Sequence, residues 1–104
     1  MLEAAREAIG FVTGRAAEDL TRDRLLLLGL VKEIEIIGEA AARVSAEGRS
    51  AASGIPWSKV TAMRNRLTHG YFDWDLEVIW STLTTSLPLL AAEVERVLLE
   101  NALR

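Results

Sequence analysis

Apolar residues return at helical intervals through most of the chain, and no stretch alternates with the period of a strand. Leu2, Ala5, Ile9 and Val12 form one stripe, which predicts a first helix from Leu2 to about Gly14. Thr21 offers an N-cap for a second helix from Arg22 to about Ala46. Its Leu27, Leu30, Val31, Ile34, Ile37, Ala41 and Val44 share one face, while Leu26, Ile36 and Ala40 add another. A helix apolar on two sides lies at the centre of a bundle or contributes to an interface. Residues 48–54, rich in Ser, Gly and Ala, read as a loop. Pro56 then suits the first turn of a third helix, because its missing N–H costs nothing there, and Gly70 is the expected left-handed residue after an end near His69. Asp73 or Asp75 can cap a fourth helix, in which Leu76, Ile79, Trp80, Leu83, Leu87, Leu90, Val94 and Val97 recur near heptad spacing. Pro88 inside it predicts a kink and not a stop, since the stripe keeps its phase on both sides. The predicted class is all-α, an up-and-down four-helix bundle with room for an extra short or kinked helix, in a single domain over residues 1–104.

Composition sharpens this picture. Half of the 104 residues are hydrophobic and the mean hydropathy is +0.18, which is rich for a small monomer and predicts a homodimer that covers apolar surface. The second helix and the stripe of the fourth, with Leu83 and Leu87 at apolar contacts, are the expected interface. No apolar run approaches the roughly 18 residues of a membrane span, and no signal segment follows Met1, so the chain reads as cytoplasmic. With no cysteine and one histidine, thiolate metal sites are excluded and a zinc site within one chain is not expected; no cofactor is called for.

A net charge of -3 argues against broad, non-specific binding of a polyanion. The distribution matters more than the sum. Residues 48–72 hold four of the 12 basic residues, Arg49, Lys59, Arg64 and Arg66, and none of the 15 acidic ones. A positive patch on an acidic body confines anion binding to one place, unless the clustering is an ordinary solvated face.

Within that stretch, Arg64-Asn65-Arg66-Leu67-Thr68-His69-Gly70-Tyr71 contains the chain's one histidine and one tyrosine. An arginine is always charged, a histidine changes charge near neutrality and a tyrosine hydroxyl can be modified. Those are parts suited to a phosphodiester. At about 100° per residue, Arg64 falls inside the apolar face of Val60, Met63 and Leu67, so it needs a partner or a cleft. Asn65 and His69 share a different face, so one straight helix does not easily aim Arg64 and His69 at one atom. Unwinding at Gly70, or a second copy of the helix across a dimer axis, would bring them together. At the negative end of the helix dipole, His69 is favoured in its protonated form by roughly 0.3–1 kcal/mol, which suits an acid or base role. Arg64 can clamp a phosphate, with Asn65 positioning it. The bland reading makes His69 a solvated C-terminal cap and Arg64 a salt-bridged core residue.

Several segments carry a family resemblance when taken in order. They are Glu35-Ile36-Ile37-Gly38-Glu39-Ala40, Ile55-Pro56-Trp57, Met63-Arg64-Asn65-Arg66-Leu67 leading to His69-Gly70-Tyr71-Phe72, Asp75-Leu76-Glu77-Val78-Ile79-Trp80 and Leu87-Pro88-Leu89. Over nearly its full length the chain resembles the HepT-like branch of the HEPN superfamily, small helical RNases of toxin–antitoxin pairs. The resemblance implies a homodimeric, metal-independent RNase toxin, neutralised by an MntA-like nucleotidyltransferase antitoxin. It implies that Arg64 and His69 match the catalytic pair and that Tyr71 matches the tyrosine which the partner modifies with AMP; Asn65 and Arg66 are the candidates for positioning phosphate. Thr68 stands where an aliphatic residue is expected, and the amino-terminal helix is short.

Glu39 is a candidate structural partner for Arg64 or for Arg43 four residues on. Trp57, Trp74 and Trp80 can stack bases, but their positions fit core or interface anchors better. Two rival functions belong to other classes. One is a non-catalytic subunit that binds nucleotide or docks the transferase, with Tyr71 as a modification acceptor. The other is a structural dimerisation module, which the basic stretch disfavours.

Overall fold

The computed structural model describes residues 1–69 and 74–102, with side chains for residues 1–67 and 74–101. Every regular element among them is helical. Helix α1 spans Leu2–Val12 and is followed by a short α2, Asp19–Arg22. Helix α3 runs over Arg24–Ala42, α4 over Ala46–Ala51 and α5 over Trp57–His69. Helix α6, Leu76–Ser81, continues through a π-helical segment, Thr82–Ser86, into α7, Leu87–Ala102. No helix of the described residues is long and apolar enough to cross a membrane.

The boundaries follow from local chemistry. Helix α1 stops at Val12, short of Gly14, because Thr13 turns extended and Gly14 adopts φ 78, a conformation that costs glycine little. Thr21 is not the cap of the long helix. Asp23 interrupts the helical path with φ -115 and ψ 92, and its carboxylate accepts the Leu26 N–H at 3.0 Å. That carboxylate also sits at the positive end of the α3 dipole, an advantage a threonine lacks. At the other end α3 closes at Ala42, and Ser45 starts a new helix by accepting the Gly48 N–H at 3.0 Å. Much of the expected loop over residues 48–54 is therefore helical. Pro56 precedes α5 and offers its carbonyl to the Lys59 and Val60 N–H groups, each at 3.1 Å. Asp75 caps α6 through the Glu77 and Val78 N–H groups at 3.0 and 3.2 Å. Its rival Asp73 and the expected helix end at Gly70 lie outside the described residues.

Pro88 acts by changing the helix type before it. A proline withholds its own N–H and crowds the carbonyl four residues back. Here Leu87 N–H bonds to the Thr82 carbonyl five residues back, and this widened turn carries the chain past the proline. Thr82 and Thr84 return their hydroxyls to the Val78 and Trp80 carbonyls, each at 2.8 Å.

Helix α3 lies between α1 and α5, and α1 also packs on α7 and the π segment. The doubly apolar pattern of α3 is thereby explained on one side: Leu27, Leu30, Val31, Ile34 and Ile37 enter the core, and Ala41 is buried with them. The stripe of the last helix enters the same core. Leu83 is 0% exposed and Leu87 4%, so these leucines pack within the chain and are not the dimer contacts expected of them. Trp57, Trp74 and Trp80 are partly buried against the core, with the Trp57 and Trp74 indoles donating to the Ala52 and Leu67 carbonyls at 3.1 Å each. The exposed apolar residues of α3 form a different surface: Leu25, Leu28 and Ile36 follow one outer face.

One partly buried acid sets a pH dependence. Glu33 of α3 has an Oε2 sealed from solvent without a hydrogen-bond partner among the described residues. Burial, and then Glu7 and Glu3 of α1, raise its pKa above the ordinary 4.5. The folded state thus holds this proton more tightly than the unfolded chain. Its stabilising contribution is complete below about pH 4.5 and is lost as pH rises through the folded pKa. Glu33→Gln should therefore raise the melting temperature at pH 7 and change it little at pH 4. Thermal denaturation at the two pH values checks this, and an equal gain at both would contradict it.

Candidate active site

Helix α5 carries most of the candidate residues, and its packing on α3 sets their directions. Met63 is partly buried and Leu67 fully buried in the core. Arg64, on the border of that face, crosses α3 at Gly38. A Cβ placed on Gly38 would lie 2.2 Å from Arg64 Cβ and 2.6 Å from Cγ, so the helices approach this closely only because residue 38 has no side chain. The next residue completes the contact: Arg64 Nη1 donates to Glu39 Oε1 at 2.5 Å. The pair is partly buried on the arginine side, 24% exposed, and open on the glutamate side, 51%. A charge-assisted bond of this kind fixes the direction of a planar guanidinium. Gly38 and Glu39 therefore act together, one admitting the arginine stem and the other holding its head.

This arrangement predicts a specific sensitivity. Gly38→Ala gains about 1 kcal/mol of helix propensity but forces α3 from α5, an overpacking that costs roughly 1–3 kcal/mol. Denaturant unfolding should show no net stabilisation, and the Arg64–Glu39 pair should be displaced. A variant more stable by the full propensity gain would contradict the close approach.

Arg64 opens onto a shallow depression lined by Lys32, Glu35, Glu39 and Arg43, with Ile36 and Ala40 between them. Glu35 and Glu39 share this wall, and Glu39 takes Arg64. The depression continues the exposed stripe of Leu25, Leu28 and Ile36 along α3.

The other basic residues of the 48–72 stretch do not join it. Arg49 donates Nη2 to the Ala41 carbonyl at 3.0 Å. Lys59 and Arg66 line a separate cavity, on the side of α5 facing α7. Arg64 and Arg66, about 200° apart around the helix, thus face different surroundings, and the four charges do not form one continuous patch. Asn65 is exposed. His69 is the last residue of α5, about 7.5 Å along the axis from Arg64 and roughly 140° around it. Its side chain lies outside the described residues, as do Tyr71 and the rest of residues 70–73. Among the described residues no cluster of acidic or histidine side chains is arranged to hold a metal ion.

An arginine oriented by an acid one helix away, five residues before a histidine at a helix end, can supply a fixed cation and a proton carrier from one element. The sequence model of the family described as "Ribonuclease HepT-like" matches residues 1–97. The chain belongs to the HepT-like ribonuclease family. Among the proteins it resembles is a "Putative RNase" of Caldanaerobacter subterraneus subsp. tengcongensis, 34% identical over 98 residues, which cover 94% of this chain and 88% of that one. A "Probable ribonuclease HepT" of Thermococcus cleftensis is 31% identical over 80 residues, 77% of this chain and 73% of its own. A "Putative RNase" of Methanocaldococcus jannaschii is 28% identical over 97 residues, covering 93% and 89%. No solved structure gives a significant match.

The packing of α3 on α5 in this HepT-like chain explains residues whose purpose periodicity alone leaves open. Gly38 is the main one. A glycine inside a long apolar helix costs about 1 kcal/mol relative to alanine, and that local penalty was the available sign that another backbone passes close by. Which residue passes is a property of the packed helices.

Proposed function

We propose that this HepT-like chain is a metal-independent endoribonuclease whose reaction centre uses Arg64 and His69. The observation that carries the reading is the fixed Arg64 head, held by Glu39 beside an open depression, in a chain whose family is described as ribonuclease HepT-like. In the reaction, a base removes the ribose 2′-hydroxyl proton and the oxygen attacks the adjacent phosphorus. The 5′-oxygen of the next nucleotide leaves with a proton from an acid. His69 serves as that base or that acid, and Arg64 stabilises the charge growing on the phosphoryl oxygens. Asn65 positions the phosphate chain; Arg66, expected to share that task, is turned to the far side of α5 and is left out of the reaction centre. Cleavage of RNA by the wild type, and its loss in His69→Ala with the circular dichroism unchanged, tests the reading.

The working unit is a homodimer. Leu25, Leu28 and Ile36 leave an apolar stripe leading into the Arg64 depression, and a second copy covering it would place two sets of site residues around one groove. This supplies a route by which Arg64 and His69, far apart around one helix, act on the same phosphate.

Control is assigned to Tyr71, in a pair with an MntA-like nucleotidyltransferase antitoxin. AMP on the Tyr71 hydroxyl adds bulk and negative charge two residues beyond His69, where it competes with RNA phosphate for the nearby cations. Tyr71→Phe should keep RNA cleavage and lose its inhibition by the transferase with ATP. Intact-mass spectrometry checks the added AMP; mass gain in Tyr71→Phe, or full activity of the modified wild type, would contradict the assignment. If the wild type is folded and unmodified yet leaves RNA intact, the alternative of a non-catalytic nucleotide-binding or transferase-docking subunit takes its place.

A further inference from the structure

On the side of α5 away from Arg64, a cavity of about 340 Å³ lies between α3, α5, the π segment and α7, within the size range of small-molecule sites. Its floor is apolar and deeply set: Ile34 and Ile37 come from α3, Leu87 and Leu90 from α7, each no more than 5% exposed. The charged residues that line it are Lys59 and Arg66, and no carboxylate joins them among the described residues. Seven residues apart on α5, these two cations lie on one side of the helix about 10.5 Å from each other along its axis. In a chain of net charge -3, a cavity rimmed by cations alone selects for charge as well as for apolar area.

We infer that this cavity binds a small apolar anion, an aromatic or aliphatic body carrying a carboxylate or sulfonate. The body fills the apolar floor, and the anionic group meets Lys59 or Arg66 at the rim. Neutral apolar molecules gain only the first of these contacts. A bound molecule would brace α5 from the side opposite Arg64, between the helix and the widened π turn that forms part of the far wall. The inference rests on the cavity and its charges and is independent of the nuclease reading.

The test uses the full chain with 1-naphthoate as the probe and 1-naphthalenemethanol as its neutral counterpart, followed by calorimetry and by amide chemical shifts. Naphthoate should bind saturably at one molecule per chain, with shifts centred on residues 59–66 and 82–90. The neutral alcohol should bind at least tenfold more weakly, and so should naphthoate to the Lys59→Gln/Arg66→Gln variant, whose exposed positions leave the core intact. Met63→Trp, which fills the cavity from α5, should abolish binding. Equal affinity for acid and alcohol, undiminished binding to the double variant, or no saturable binding at millimolar concentration would each overturn the inference. So would a second copy of the chain occupying the site, seen as dimers that dissociate on Met63→Glu and exclude naphthoate.

Discussion

Arg64→Ala and His69→Ala should each slow RNA cleavage by about 10²–10³-fold, the usual loss when a phosphate-stabilising cation or a general acid–base is removed. The reason is that the two groups serve one transition state. Their effects therefore do not add, and the double variant should be barely slower than the worse single one. The dimeric groove proposed above makes a sharper prediction for mixtures. If each site takes Arg64 from one chain and His69 from the other, combining the two inactive variants restores one working site per mixed dimer. Glu39→Gln should fall between wild type and Arg64→Ala, because it leaves the cation in place and removes the acid that directs it. Steady-state rates on a labelled RNA, with folding checked by circular dichroism, measure all four.

Leu83→Asp should abolish the folded state. Leu83 is completely buried in the π segment, so the substitution removes a core side chain and buries an unpaired carboxylate. A penalty above about 4 kcal/mol is expected, a large share of the 5–15 kcal/mol typical of a whole domain. Leu25→Asp is the informative contrast. Leu25 is 82% exposed, so this change should spare the fold of each chain and weaken the proposed dimer. Circular dichroism and sedimentation separate the two: loss of helix in the first, intact helix with a shift toward monomer in the second. A folded monomeric Leu83→Asp would show that the buried stripe had been misplaced.

The contrast also shows where periodicity stops being informative. The repeat through Leu76, Ile79, Leu83, Leu87 and Leu90 identifies an apolar face, but a face buried inside one chain and a face buried between two have the same spacing. The existence of long helices was legible, because their apolar positions recur over many turns. Their ends were less so. Thr21 and Asp23 are both capping residues two positions apart, and the backbone turn that chooses Asp23 depends on the short α2 before it. Ser45 was obscured by the Gly, Ser and Ala that follow, which suggest a loop although Ser45 caps a helix. Pro88 was legible as a disturbance. That the response is a π turn follows from which carbonyl Leu87 reaches, a choice between neighbours that spacing does not encode.

The candidate site divides in the same way. Arg64 inside an apolar face signalled a partner, since a charge there cannot remain unpaired cheaply. Spacing alone offered no basis for choosing between Arg64 and Arg43 as the partner of Glu39 until α3 and α5 were packed, when Gly38 brought Arg64 beside Glu39. The basic stretch was misleading in its linear form: Arg49, Lys59, Arg64 and Arg66 are close in sequence, but successive helical positions turn them to different surfaces. His69 is the last residue of α5, Tyr71 lies outside the described residues, and the roles proposed for both rest on the resemblance of the motif.

The measurement that bears most directly on the central claim is RNA cleavage by the purified wild-type chain in excess EDTA, with the new ends identified. Attack by the neighbouring 2′-hydroxyl requires no metal and leaves a 2′,3′-cyclic phosphate on one fragment and a 5′-hydroxyl on the other. The account predicts those ends, at a rate unaffected by the chelator and lost in His69→Ala. Cleavage that stops with EDTA, or that yields 5′-phosphate ends, would contradict it.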